Sequence, residues 1–189
     1  RRPAPDAGEL AMAVAALREA KSPVIVAGGG VLYSGAEAAL ADFASRHGIP
    51  VVETQGGKSA LAHDHPMNFG PVGVTGGAAA NDVCAAADLV IGIGTRFQDL
   101  TTGSWALFKH PGRRILSVNV QGYDAAKHGA IRLVSDARIA LEQIDKAIGN
   151  QKWQSVVGAR ADWARATARV KAAPANGNAL PTDAQVIGA

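Results

Sequence analysis

The chain has 189 residues, enough for one medium domain or a domain with a tail, and its 48% hydrophobic and 19% charged content excludes a disordered chain. A net charge of +3 is too small to argue for nucleic acid, and no uninterrupted apolar run reaches the roughly 18 residues of a membrane span. The single cysteine, Cys84, excludes a disulfide framework and a cysteine zinc site, so a reducing, cytoplasmic setting is the default reading; the opening Arg1-Arg2-Pro3-Ala4-Pro5 does not read as a secretory leader.

Asp6 and Glu9 stand at capping-box spacing and open a helix whose Leu10, Val14 and Leu17 share one face. Pro23 to Ala27 reads as a short buried strand ending at Gly28-Gly29-Gly30. Ser34 and Glu37 form a second capping box before the stripe Ala36, Leu40, Phe43 and His47, with Gly48 as the stop. Ile49 to Thr54 is a second strand with Pro50 at its start. Gln55 to Thr75 is a long connection rich in Gly and His, of a length that is usually functional. Helical spacing returns at Ala80, Val83, Cys84 and Ala87, and Asp88 to Ile93 is a third buried strand. Arg114 to Val120 is the fourth strand and Ile131 to Val134 the fifth. Asp136 caps a helix carrying Ala140, Leu141, Ile144 and Ile148.

Strands that are apolar throughout are buried on both faces. The pattern therefore predicts an α/β fold: three layers, with an open, mostly parallel sheet between helices. Ligands on such sheets sit beyond the carboxyl ends of the strands. Those ends are Gly28–Gly30, Thr54–Lys58 and Gly94–Phe97, the most glycine-rich or polar points of the chain. Beyond Asn150 an amphipathic helix (Val156, Ala159, Trp163, Ala166, Val170) must pack on something, and Trp153 and Trp163 have no partner in the domain pattern. The expected division is a domain over 1–149, a helical linker over 150–180, and over 181–189 the start of a further domain. An unfinished helix at the end suggests a piece of a longer protein.

Several motifs carry chemistry in one reading and none in another. Gly28-Gly29-Gly30 lets the backbone approach a phosphate or another chain closely, but it lacks the full dinucleotide fingerprint and also reads as a tight turn. Gly94-Thr95-Arg96-Phe97-Gln98-Asp99 places the planar fork of Arg96 at a strand end; a surface Arg96–Asp99 pair is the plainer reading. Gln55-Gly56-Gly57-Lys58-Ser59 lacks the first glycine of a P-loop, though Lys58 could still contact a substrate oxygen. His63, Asp64 and His65 are too close together to converge on a metal, and no third or fourth ligand is evident. Cys84 lies on the apolar stripe and reads as a buried thiol. No catalytic or metal-binding residue can be assigned from these patterns.

Thr54 to Leu61, Gly73-Val74-Thr75-Gly76, Ala87 to Asp99 and Asn119-Val120 together resemble the central domain of thiamine-diphosphate enzymes of the acetolactate-synthase type. The resemblance covers about residues 6 to 149, and Ala87-Asp88-Leu89-Val90 through Phe97 is its most specific part. Gly57 to Leu61, Thr101-Thr102-Gly103-Ser104 and Tyr123 to Ala130 look most like the branch that hydrolyses a C–C bond of a cyclic 1,2-diketone in inositol catabolism. The resemblance implies three domains, of which the outer two hold thiamine diphosphate and Mg²⁺ through an activating glutamate and a Gly-Asp-Gly motif; no Gly-Asp-Gly occurs here. It implies that Gln55, Gly57, Lys58 and Arg96 are substrate-proximal and that Gly28, Gly29, Gly30, Thr95, Arg96 and Phe97 border a cofactor. Acetolactate synthases bind FAD on this domain; they carry Met-His-Gly where this chain has Val74-Thr75-Gly76, which weakens the expectation of FAD. The implied partners are the outer domains, further copies of the whole enzyme and a small-molecule substrate, with neither nucleic acid nor membrane. The chain alone is expected to be inactive. The alternative class is an independent NAD- or nucleotide-binding module of the same general fold.

Overall fold

The structure is a computed structural model and describes residues 2–154, 160, 164, 168, 172 and 180–187. Helix α1 (Ala7–Glu19) starts where the carboxylate of Asp6 accepts the Gly8 and Glu9 N–H groups at 2.8 and 3.1 Å. Glu9 does not return the cap. It accepts from Arg132 Nε at 2.7 Å and from the Val134 N–H at 2.9 Å instead. That N–H belongs to a sheet-edge strand, where an unpaired donor needs a partner.

Six parallel strands follow: β1 (Pro23–Ala27), β2 (Val51–Glu53), β3 (Asn68–Pro71), β4 (Leu89–Ile93), β5 (Arg114–Asn119) and β6 (Ile131–Val134). Their order is β3-β2-β1-β4-β5-β6. Register runs Ile25 to Val51 on one side of β1 and Ile25 to Ile91 on the other. The expected α/β architecture is present, with a wholly parallel sheet.

Alternate strand residues face two separate cores. Ile25, Ala27, Val51, Ile91, Leu116 and Leu133 pack under α1, α3 (Glu37–His47) and α7 (Ala137–Ile148). Val24, Val26, Val52 and Val90 pack with α4 (Ala78–Ala86), Phe69, Phe97 and Phe108. Each fully buried aliphatic or aromatic side chain contributes about 1.5–3 kcal/mol of transfer free energy. Helix α7 begins at Asp136 and buries Ala140, Leu141, Ile144 and Ile148, the stripe read from the sequence. Gly48 ends α3 in the left-handed conformation, φ 70°.

The structure corrects four expectations. The long connection after β2 contains strand β3, whose Asn-Phe-Gly-Pro has no apolar run to announce it; it sits at the sheet edge, where proline does least harm. A short helix, α2 (Gly29–Ser34), starts within the glycine triplet. Ser34 caps nothing at α3, whose N-cap is Ala36; its hydroxyl donates to Asp136 Oδ1 at 2.9 Å and accepts the Arg138 N–H at 3.0 Å. Trp153 does have a partner in the domain: its Nε1–H donates to the Ala20 carbonyl at 2.8 Å and its ring lies edge-on to His47. The expected tail stripe, with Trp163, and the linker-like 173–178 lie outside the described residues. Further helices are α5 (Asp99–Thr102), α6 (Gly122–Ala126) and α8 (Asp183–Ile187).

Candidate functional site

Strands β1 and β4 are neighbours, but the chain leaves them in opposite directions, toward β2 and toward β5. In a parallel sheet this reversal opens a crevice at the carboxyl ends of the two strands. A cleft of about 910 Å³ lies there. Its floor and walls come from the ends of all six strands: Gly28–Gly30 after β1, Thr54–Gly56 after β2, Val72 and Thr75 after β3, Gly94–Arg96 after β4, Asn119 and Val120 at β5, and Ser135–Ala137 after β6.

The glycines let two loops touch. A Cβ on Gly28 would stand 2.3 Å from the Gly94 carbonyl oxygen, and one on Gly94 would stand 2.4 Å from the Gly30 Cα. The loops are laced by Gly28 N–H to Ile93 O at 2.9 Å and Gly30 N–H to Gly94 O at 3.0 Å. Gly57 is equally constrained, since its Cβ would meet Ala27 O at 2.1 Å. The space beside Gly28, Gly30 and Gly57 is thus filled by neighbouring backbone. Gly29 and Gly56 both line the cleft; a Cβ on Gly29 would meet the Gly56 carbonyl oxygen at 3.0 Å, whereas one on Gly56 would come no nearer than 4.0 Å to the Gly29 nitrogen.

Polar side chains fix the rest of the floor. Thr54 Oγ1 accepts the Gly57 N–H at 3.1 Å, and Asn119 Nδ2–H donates to the Thr95 carbonyl at 3.2 Å. Asp136 accepts from Ser34, from the Ile139 N–H and from Arg2, and its Arg2 ion pair is 2.9 Å long. Burial by itself would raise the Asp136 carboxyl; the hydrogen bonds from Ser34, Ile139 and Arg2 and the Arg2 charge outweigh it and hold the group below the ordinary carboxylate range. Asp124 pairs with Lys127 at 2.5 Å. Arg96 is exposed in the cleft and, among the described residues, has no hydrogen-bond or ion-pair partner, Asp99 included. At the rim stand Tyr33, Leu100 and Val120, which are 91%, 73% and 60% exposed.

The residues singled out from sequence divide accordingly. Gln55, Gly28, Gly29, Gly30, Thr95 and Arg96 line the cleft. Lys58 ends the 3-10 turn Gln55–Gly57, is exposed, and does not line it. Phe97 turns away: at φ 49° its ring covers Gly92 and stacks on Trp105 at 5.5 Å in the second core. Cys84 is buried, and burial pushes its thiol up, which makes it inert. The ring of His65 is engaged by Ser45 at 3.0 Å and by the Met67 N–H at 3.1 Å. Sequence reasoning missed Asp124, Tyr33 and the cleft role of Asp136. Applying the strand-end rule to β5 and β6 as well as to β1, β2 and β4 would have pointed to Asp124 and Asp136.

The family described as thiamine pyrophosphate enzyme, central domain, matches residues 10–144. The chain belongs to this family. It is 44% identical over 148 residues to a 3D-(3,5/4)-trihydroxycyclohexane-1,2-dione hydrolase of Clostridium perfringens, covering 76% of this chain and 23% of that protein. It is 46% identical over 138 residues to the protein of the same name from Geobacillus thermodenitrificans, covering 73% and 21%. A solved structure from Mycobacterium smegmatis, assigned to the thiamin diphosphate-dependent enzymes, superposes with a TM-score of 0.65 at 28% identity, over 79% of this chain and 29% of that one. The chain therefore spans less than a quarter of the length of the curated relatives it matches. Its cleft includes the strand ends after β2, β3, β4 and β5 that carried the sequence resemblance, together with those after β1 and β6 that did not.

Proposed function

We propose that this central domain belongs to a thiamine-diphosphate-dependent hydrolase that cleaves a C–C bond of trihydroxycyclohexane-1,2-dione. The observation that carries the reading is the 44–46% identity, over 148 and 138 residues, to relatives bearing that name. The domain's task is to scaffold the enzyme and to line the substrate entrance with Gln55 and Arg96; of the other two residues expected near the substrate, Lys58 stands outside the cleft lining and Gly57 is closed off by the Ala27 carbonyl. Arg96 is suited to a substrate oxygen because it is a cation with no internal partner among the described residues.

The residues present do not fit thiamine diphosphate with its metal. Among the described residues no group of three His, Cys, Asp or Glu side chains could hold a metal ion. The cleft's two carboxylates are already engaged by Lys127 and Arg2. The diphosphate and Mg²⁺ therefore belong to the outer domains of the parent, and no chemical step is assigned to this chain. We also propose that the parent is a cytoplasmic homo-oligomer; among the described residues no helix is long and apolar enough to cross a membrane. FAD is not assigned to the cleft, because Val74-Thr75-Gly76 stands where the FAD-binding acetolactate synthases carry Met-His-Gly.

The test is the parent enzyme, purified and supplied with thiamine diphosphate and Mg²⁺. It should open trihydroxycyclohexane-1,2-dione and show no flavin absorbance. Turnover of pyruvate to acetolactate without ring opening would sink the reading, and a stoichiometric flavin spectrum would reinstate FAD.

A further inference from the structure

The outer wall of the cleft is the turn that follows β3, and one side chain holds it. Gly73 has φ 126°, a conformation L side chains rarely adopt, and a Cβ there would meet Leu100 O at 2.5 Å. Asn81, on the second turn of α4, grips this glycine with both ends of its amide. Its Oδ1 accepts the Gly73 N–H at 3.1 Å, and its Nδ2–H donates to the Gly73 carbonyl at 3.0 Å. Gly73 O also accepts the Gly76 N–H at 2.9 Å, which closes the turn. With Gly73 so placed, the Val74 N–H reaches Leu100 O at 2.9 Å and joins the turn to α5. Val72 and Thr75 from the turn, and Leu100 and Thr101 from α5, all line the cleft.

We propose that Asn81 is the positioning residue of this wall. It touches nothing in the cleft itself. By fixing Gly73 it sets the turn and α5 as one unit, and so sets the width of the entrance for a polyhydroxylated cyclic diketone. The substrate class rests on the functional reading given above; the grip does not. A wall that lines the entrance makes contacts equally present before and during reaction, so its loosening raises KM and leaves kcat alone.

The experiment compares the full-length parent enzyme with its Asn81→Ala, Asn81→Asp and Gly73→Ala variants. Steady-state kinetics with trihydroxycyclohexane-1,2-dione is read together with hydrogen exchange at the Gly73 and Val74 amides. Asn81→Ala should raise KM about fivefold or more, hold kcat within about twofold, and speed exchange at both amides. Asn81→Asp keeps the shape and the acceptor but cannot donate to Gly73 O. It should behave like the alanine variant, whereas a side chain that only fills space would be rescued by it. Gly73→Ala displaces the same wall from its other end and should also raise KM; it supplies the kinetic answer if the Asn81 variants do not fold. Unchanged KM and unchanged exchange in Asn81→Ala would overturn the proposal, as would a fall in kcat at constant KM. If the unmodified parent does not open the diketone, the functional reading fails, and the exchange rates at Gly73 and Val74 still decide the role of Asn81.

Discussion

On the inner wall of the cleft, Gly28 and Gly30 lie against Gly94 with no side chain between them; on the outer wall, Gly73 is held by the amide of Asn81 eight residues away. The first contact is backbone on backbone, and its sequence signature is glycine at strand ends. The second is a side-chain bond whose partner carries no signature. The inner wall tolerates almost no added atom, while the outer wall depends on two hydrogen bonds, each worth about 0.5–1.5 kcal/mol net. The inner wall is therefore the rigid side of the cleft and the outer wall the adjustable one.

The sharpest way to break this comparison is to add one methyl group to the inner wall. Gly94→Ala forces a Cβ to 2.4 Å from the Gly30 Cα at φ 61°. Left-handed backbone costs an alanine roughly 1–2 kcal/mol, and overpacking adds roughly 1–3. The variant should lose about 2–5 kcal/mol in urea unfolding. Gly35→Ala is the control: it has the same φ of 61°, but among the described residues nothing lies within 4 Å of the new Cβ. It should lose only about 1–2 kcal/mol, from strain alone. Equal losses in the two variants would show that the inner wall yields to the added methyl.

A smaller effect is expected from the charges at the mouth. In the parent enzyme, Arg96→Ala should lower kcat/KM about tenfold with no change in melting temperature, corresponding to about 1.4 kcal/mol of binding. Lys58→Ala should change it less than about threefold, because Lys58 stands outside the cleft lining. The reverse ranking would move the substrate to the β2 side of the sheet edge.

Next comes the carboxylate under the cleft. Asp136→Ala removes the side-chain cap of α7 and the bond to Ser34, and should lower stability by about 1–2 kcal/mol near neutral pH. The Asp136 carboxyl is depressed in the folded chain, so its contribution is complete above its unfolded value near pH ~3.9 and fades as pH falls through the folded one. The gap in urea midpoint between the parent chain and Asp136→Ala should therefore narrow in acid below that point. A gap that widens there would contradict the depressed carboxyl.

Much of the fold was legible because its strands are short, apolar and bounded by glycine. β1, β4, β5 and the α7 stripe follow directly from periodicity. What escaped has identifiable physical causes. β3 is made of Asn, Phe, Gly and Pro and is a strand only because β2 offers it a ladder. Ser34 fitted a local capping pattern, but a buried carboxylate 102 residues away offered a better bond. The cleft was legible where strand ends carry glycine and hidden where they carry Asp124 and Asp136, whose roles depend on tertiary pairing. Asn81 lay unmarked within a helix.

The smallest expected effect concerns the root of the outer wall. His65 precedes β3, and its Nδ1 accepts the Met67 N–H at 3.1 Å, so the ring proton sits on Nε2 and donates to Ser45 Oγ at 3.0 Å. An imidazolium has no lone pair at Nδ1 and would abandon Met67. Met67 in turn supplies the carbonyl that accepts the Val51 N–H at 2.8 Å, at the start of the β2–β3 pairing. Burial, and after it the charge of Arg160, lower the His65 pKa, with Asp64 opposing them. A histidine depressed in the folded state contributes stability that is complete above its unfolded value near ~6.5 and is lost as pH falls through the folded value. Mild acid should therefore loosen the β2–β3 edge and the outer wall it carries, while the inner wall, built without a titrating group, stays closed. Amide exchange at Met67 and Val51, corrected for intrinsic rates, should rise between about pH 7 and pH 5, with that at Gly28 and Gly30 unchanged. His65→Gln should abolish the rise, and a His65 ring titrating at or above ~6.5 in NMR would remove its cause.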